Sequence, residues 1–356
     1  MNYIILFLSH FVNRHPKCKI LLQKFYYNVI IKEEKYLLWG RTMKIAVTGC
    51  AGFIGSAFAG YLLDNYPDCQ VIGIDCLTYA ASLEALDGLK EYKNFTFYKE
   101  NICDEAAIDR IFGRERPDVV VNFAAESHVD NSIADPRAFI KTNVLGTGTL
   151  LDASVRYNVS RFHQISTDEV YGDAPLDATE RFTEASPLNP SSPYSASKAA
   201  ADLLALSYMR TYGLRVSVSR STNNYGIYQH SEKLIPKTVE QVTSDQPISV
   251  YGDGSNLRDW LHTSDHCRAI DLIIRAGECG IYNIGAGNEW SNIDLVKKIM
   301  TLLGGPYGEI AFVTDRKGHD RRYPIDCSKI RSLGWQPKAD FESELKATVE
   351  WYKGRK

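Results

Sequence analysis

Residues Gly49-Cys50-Ala51-Gly52-Phe53-Ile54-Gly55 stand between an apolar run, Lys44–Thr48, and a stretch of helical character. No other feature of the chain restricts its fold so tightly. Glycines at this spacing let the backbone turn sharply at a strand end and approach whatever lies above the turn. The helix that follows offers unsatisfied N–H groups and the positive end of its dipole to an anion. Strand, glycine turn and helix in that order open a βαβ unit built for a dinucleotide pyrophosphate. The spacing is G-x-x-G-x-x-G rather than G-x-G-x-x-G, and a plain glycine-rich turn is the alternative.

From Met43 onward, short apolar runs alternate with longer helical stretches. The candidate strands are Lys44–Thr48, Gln70–Ile74, Phe95–Tyr98, Val119–Phe123, Phe162–Ser166 and Val216–Ser219. β-branched runs separated by crossover-length intervals indicate a parallel sheet covered on both faces. Right-handed crossovers make it a doubly wound, Rossmann-type α/β fold. Past Ser219 the spacing is irregular: Tyr225–Pro236 and Tyr251–Asp259 read as loops, Ile281–Ile284 as a late strand, and Ile293–Leu303 and Glu342–Tyr352 as helices. These segments predict a smaller C-terminal substrate-binding lobe. Residues 43–222 and 256–285 are expected in the dinucleotide-binding domain, and 223–255 and 286–356 in the lobe.

Charge and cysteine content exclude several classes. Forty-one basic and 43 acidic residues leave a formal net charge of −2, so no global basic field draws nucleic acid. The 8 cysteines include no C-x-x-C pair, so neither a metal site nor a redox motif is expected. Scattered reduced thiols point to the cytoplasm. Met1–Val12 is apolar but shorter than the ~20 residues of a membrane span. It also lacks the basic flank of a signal peptide. Met43 reads as the functional start and residues 1–42 as a dispensable extension, with a membrane-surface anchor as the alternative.

Asp75 ends the second candidate strand, 20 residues past Gly55. A carboxylate there accepts from ribose hydroxyls and repels a 2′-phosphate, which favours NAD over NADP. The alternative is a helix-capping aspartate. Asn122-Phe123-Ala124-Ala125 ends the fourth strand with small residues, which lets a flat cofactor lie against the backbone.

Tyr194-Ser-Ala-Ser-Lys198 places a phenol and an ammonium one helical turn apart. The ammonium, together with a positive nicotinamide, is expected to lower the Tyr pKa from ~10. Such a Tyr takes a proton from a sugar hydroxyl as hydride leaves the same carbon. Ser166-Thr167-Asp168-Glu169 follows the fifth strand, at the sheet edge that carries the chemistry in doubly wound folds. Thr167 can hydrogen-bond the reacting hydroxyl. Simple dehydrogenation needs only the Tyr, whereas adjacent carboxyls in different protonation states suit elimination of water, one as base and one as acid. A surface Tyr/Lys pair and a solvated Asp-Glu turn are the alternatives.

With these residues in view, the chain from Met43 onward resembles the dTDP-glucose 4,6-dehydratase family of extended short-chain dehydrogenase/reductases. The matching stretches include GCAGFIGS, NFAAESHVD, STDEVYGD, SPYSASKAAADLL, NNYGIYQ, VYGDGSNLRDWLH and DRKGHDRRYPID. The resemblance implies conversion of a nucleoside-diphosphate glucose, dTDP-glucose above others, to its 4-keto-6-deoxy form with loss of water. It implies tightly bound NAD, regenerated in each turnover. Tyr194, assisted by Thr167 and Lys198, would serve C4 oxidation, with Glu169 as the base at C5 and Asp168 as the acid at the C6 hydroxyl.

Cofactor contacts implied by the resemblance are Gly49, Gly52, Phe53, Ile54, Gly55, Asp75, Leu77, Thr78, Asn101, Ile102, Phe123, Ala124, Ala125, Ser127, Thr142, Ser166, Tyr194 and Lys198. Substrate contacts, besides Thr167, Asp168 and Glu169, are Ser127, His128, Asn224, Glu232, Lys233, Leu234, Tyr251, Arg258, Asn292, Arg316 and His319. Arg258, with its charged fork, would clamp the diphosphate. A solvated loop charge at Arg258, a core aromatic at Tyr251 and a helix cap at Asn292 are the bland alternatives.

The sequence departs from the family at several positions. Asn101 stands for Asp, Asn131 for Arg, and Ile227, His230 and Ser231 for Pro, Phe and Pro. The last three flank the nucleotide-sugar loop and bear on the base more than on the chemistry. Rival readings are a UDP-glucose or other nucleotide-sugar 4,6-dehydratase, a 4-epimerase, and a non-catalytic NAD-binding protein. The intact Tyr/Lys and Asp-Glu sets argue against the last two. The family pattern also implies a homodimer formed through helices near Arg137–Tyr157 and Tyr194–Tyr212.

Overall fold

The central strand β1 (Lys44–Thr48) has every residue after Lys44 buried, as its apolar run requires. It pairs in parallel with β2 (Gln70–Asp75) on one side and β4 (Val119–Asn122) on the other. Outward lie β3 (Phe95–Lys99) beyond β2, then β5 (Arg161–Thr167) and β6 (Val216–Ser221) beyond β4. This computed structural model describes residues 43–305 and 308–355. The expected extension, 1–42, lies outside the described residues.

Three further strands form a small sheet, β7 (Asn223–Tyr225), β9 (Leu257–His262) and β11 (Glu289–Ser291). A parallel pair joins β8 (Ile248–Tyr251) to β12 (Ile310–Val313). The late strand β10 (Gly280–Ile284) closes the large sheet, whose order is β10-β6-β5-β4-β1-β2-β3. All of its pairings are parallel. The sheet is therefore doubly wound, and its strand order reverses between β1 and β4. That reversal opens a crevice at the carboxyl ends of the strands.

Two expectations need correction. Tyr225–Pro236 is not wholly loop, because the helix Leu234–Thr243 begins inside it. Tyr251–Asp259 contains the end of β8 and the start of β9. Gly252 and Gly254, at φ +57° and +73°, make the turn between those strands. Beyond it Arg258 and Trp260 point inward, so a buried arginine hides the strand's apolar alternation.

The helix Pro193–Tyr212 starts at a Ser192/Ser195 capping box with Pro193 in its first turn, and it stops at Gly213 (φ +71°). The run 136–156 is helical but not uniform, since Ile140–Gly146 is π-helical between two α-helical pieces. One apolar cluster fills the space beside the large sheet, around Ile72, Phe112, Leu150 and Val216. Another knits the C-terminal lobe through Tyr225, Val239, Trp260 and Leu295. Among the described residues no helix is long and apolar enough to cross a membrane.

Candidate active site

The glycine turn tolerates no side chain at its ends. Gly49 has φ +65°, and a Cβ there would lie 2.7 Å from the Ala124 nitrogen. A Cβ on Gly55 would lie 2.0 Å from the Gly49 carbonyl oxygen. Gly52 caps the helix Phe53–Asn65 without a side-chain bond, so the first N–H groups keep their capacity to donate. Asp75 buttresses the turn: Oδ2 accepts from the Ala51 N–H at 3.0 Å and Oδ1 from the Leu77 N–H at 2.7 Å. Burial raises its pKa against those two bonds.

Above the turn lies a cavity of about 260 Å³. Gly49, Gly52, Phe53, Ile54, Gly55, Phe123, Ala125, Ser127, Ser166, Tyr194 and Lys198 line it. Asp75, Leu77, Thr78, Asn101, Ile102, Ala124 and Thr142 are not among its lining residues. Asn101 is exposed, with Oδ1 accepting from the Cys103 N–H at 2.9 Å. Ile102 is buried in the core, and Thr142 lies on the π-helical segment. The glycine turn, the open helix start and the anchored carboxylate together fit a dinucleotide.

Tyr194, Lys198, Thr167, Asp168 and Glu169 share that cavity. Thr167 ends β5, and its hydroxyl donates to Asp168 Oδ1 at 3.2 Å while accepting from the Glu169 N–H at 3.3 Å. Burial, and then Glu169, raises the Asp168 pKa well above the usual carboxylate range. Burial also raises Glu169, but Arg258 and Lys233 oppose it. The two acids are thus placed to differ in protonation.

The chain's own groups push the Tyr194 pKa up: burial first, then Glu169 and Asp168, against a hydrogen bond with Thr167 that lowers it. Lys198 does not offset this. Its Nζ donates to the Ile165 carbonyl at 2.5 Å, and burial lowers its own pKa to about 8 against the pull of Asp202. A phenolate at Tyr194 therefore needs positive charge beyond what the chain supplies.

A larger cavity of about 540 Å³ adjoins the first, and Ser127, Glu169, Glu232 and Lys233 line both. His128, Leu234, Tyr251, Arg258, Asn292, Arg316 and His319 are also on its wall. Arg258 is fixed by donating to the carbonyls of Leu257 (2.7 Å), Asp320 (2.9 Å) and Arg321 (3.3 Å). Its guanidinium lies 4.7 Å over the Tyr323 ring. Arg316 lies 4.7 Å over Tyr251, whose hydroxyl donates to Asp130 at 3.0 Å. Lys233 Nζ donates to the Ser127 carbonyl at 2.9 Å.

Asn224 lines the smaller cavity, but its side chain is engaged by the protein. Nδ2 donates to Ser221 Oγ (3.2 Å) and the Thr222 carbonyl (2.9 Å), and Oδ1 meets His266 Nδ1 at 2.8 Å. His230, one of the departures, lines both cavities with its ring edge-on to Tyr79.

Sequence reasoning missed several groups. Lys237, a helical turn beyond Lys233, lies 5.8 Å over the Tyr251 ring, and the i,i+4 spacing was the available signal. Asn143 lies on the π-helical segment and bridges three elements. It donates to the Glu126 carbonyl (3.0 Å) and Ser197 Oγ (2.8 Å), and accepts from the Glu126 N–H (2.8 Å). Nothing local in the sequence marks it.

The chain is similar to known proteins along most of its length. A family model described as GDP-mannose 4,6 dehydratase matches residues 46–348. The low-salt glycan biosynthesis protein Agl12 of Haloferax volcanii is 48% identical over 313 residues, covering 88% of this chain and 99% of its own. The dTDP-glucose 4,6-dehydratase of Salmonella typhimurium is 48% identical over 335 residues, covering 87% and 92% respectively. A crystal structure of the Streptomyces venezuelae dTDP-glucose 4,6-dehydratase with NAD bound superposes with a TM-score of 0.84 at 46% identity, covering 88% of this chain and 97% of that one.

Proposed function

Since the chain belongs to the dTDP-glucose 4,6-dehydratase group of the extended short-chain dehydrogenase/reductase family, we propose that it converts dTDP-glucose to the 4-keto-6-deoxy sugar nucleotide and water. The observation that carries this reading is the shared chamber of Tyr194, Asp168 and Glu169. NAD, when bound above the glycine turn, would supply the redox chemistry, as hydride acceptor for C4 and hydride donor for C6 of the hexose.

The chain's own residues handle the protons. Tyr194 takes the C4 hydroxyl proton, with Thr167 hydrogen-bonded to the same oxygen. The resulting 4-ketone acidifies C5–H, and Glu169, opposed in its upward shift by Arg258 and Lys233, removes that proton. Asp168, held protonated by burial, gives its proton to the C6 hydroxyl, which leaves as water. The electron pair from the broken C5–H bond becomes the C5=C6 bond as the C6–O bond breaks. Reprotonation at C5 completes the product. The Phe53–Gly55 helix start would hold the NAD pyrophosphate and Asp75 its adenosine ribose. Arg258 and Arg316 would face the substrate diphosphate, with Lys233 beside the sugar.

Incubation with dTDP-glucose, and with UDP-, CDP- and GDP-glucose as comparators, tests the reading through the alkaline absorbance of a 4-keto product. Absence of that product with dTDP-glucose would overturn it.

A homodimer in the cytoplasm completes the proposal. The run 136–156 and the helix Pro193–Tyr212 lie side by side and expose Ile140, Leu145, Leu203 and Tyr212. Apolar side chains on two adjacent helices suit an isologous helix-bundle contact. The described cysteines are free, as in a reducing compartment.

A further inference from the structure

We propose that Arg220 is a positioning residue that holds the Asp168–Glu169 turn in register with the Tyr194–Lys198 helix. The inference rests on the dehydratase reading above and assigns a role to a residue outside the reacting shell.

Tyr194, Lys198 and Asp202 recur at four-residue intervals along one helix, so Asp202 lies on the catalytic face one turn past Lys198. Its Oδ2 accepts from Arg220 Nε at 3.0 Å, and both residues are almost fully buried. Arg220 belongs to β6 and pairs in register with Ser166, directly before Thr167 on β5. Its guanidinium carbon lies 4.8 Å over the centroid of the Tyr171 ring. Tyr171 belongs to the same short turn as Asp168 and Glu169. That ring is itself fixed, by a 2.7 Å bond from its hydroxyl to Asn283 Oδ1 and by stacking on Phe182 at 5.2 Å. One cation therefore touches both the helix of the oxidation step and the turn of the elimination step.

Stability alone does not account for this pair. Buried ion pairs are commonly no better than well-packed apolar residues of the same size. Arg220 Nη1 also has no hydrogen-bond partner among the described residues, a cost an apolar side chain would avoid. What an apolar pair cannot supply is one delocalised cation bonded to a carboxylate on one element and lying over an aromatic ring of another. The two half-reactions act on neighbouring carbons of one sugar, so the two elements must keep their spacing to within a fraction of an ångström.

Two variants of the NAD-loaded enzyme test the proposal. Arg220→Lys keeps a cation for Asp202 and so preserves the buried charge balance, but it loses the guanidinium over Tyr171. Solvent deuterium entry at C5 is expected to fall about tenfold or more while C4 oxidation, read in a single turnover, stays within about twofold. The paired variant Asp202→Asn/Arg220→Met removes both charges together. It is expected to slow both half-reactions about tenfold or more with KM changed less than about threefold. Wild-type rates in Arg220→Lys, or a folded paired variant with undiminished kcat, would overturn the proposal. If the paired variant does not fold, Arg220→Lys decides alone. Turnover of dTDP-glucose by the unaltered enzyme, measured alongside, tests the dehydratase reading separately.

Discussion

The Lys198 ammonium donates to the Ile165 carbonyl, so the helix that carries Tyr194 is tied to the strand that ends in Thr167. The phenol and the threonine hydroxyl proposed to meet the C4 oxygen are thereby held by one short bond across two elements. The same bond keeps Lys198 buried, and burial brings its pKa down to about 8. Turnover is expected to fall as pH rises through about 8, where the ammonium loses its proton. A pH profile of kcat that stays flat to pH ~10, the ordinary lysine range, would remove Lys198 from the mechanism.

Tyr194→Phe removes the proton acceptor at C4 and keeps the ring. Turnover is expected to drop by about 10²–10⁴-fold, the usual worth of a general base. NAD should remain bound, since the glycine turn and Asp75 are untouched. Retained activity would show that another group takes the C4 proton.

The two acids should separate kinetically. Glu169→Gln is expected to abolish solvent deuterium entry at C5 while C4 oxidation persists. Asp168→Asn is expected to slow loss of water more than C4 oxidation. Equal slowing of both steps by either change would reverse its assignment.

Asp168 also bears on stability. Burial holds its pKa above the unfolded value, so the native state binds more protons than the unfolded chain between those two values. Stability is lost as pH rises from the unfolded value toward the native one. Asp168→Asn is therefore expected to raise Tm at pH 7 by roughly 2–4 °C, with the gap closing under acid conditions. Calorimetry at pH 7 and at a pH near 4 measures both. An unchanged Tm at pH 7 would contradict the raised pKa.

Arg258→Ala removes a cation fixed by three backbone carbonyls and a ring. KM is expected to rise by roughly 10–100-fold, the loss of one charged hydrogen-bonding contact. An unchanged KM would place the diphosphate elsewhere.

How much of this was legible beforehand follows from how local each signal is. The glycine turn, the Tyr194/Lys198 pair and the Asp168-Glu169 turn are contiguous stretches whose geometry is set within one element. They could be read from spacing alone. Asn143 and Arg220 act through partners more than 15 residues away, and neither disturbs a local pattern. Strand β9 was obscured for a related reason: Arg258 makes its inward face look polar until Tyr323 and the Asp320 carbonyl are in place. The upward push of Glu169 and Asp168 on Tyr194 was hidden for the same reason, since both carboxyls come from another element.

Strand β6 leaves the large sheet at Ser221, and β7 enters the small one at Asn223, with Thr222 alone between them. Thr222 is itself buried, and its N–H donates to the Ile284 carbonyl at 3.0 Å. One pinned residue leaves no slack for a hinge at that junction. A clamshell swing of the lobe there would have to shear β10 from β6. The wall of the substrate cavity and the floor that carries Thr167 are therefore joined without slack at this point.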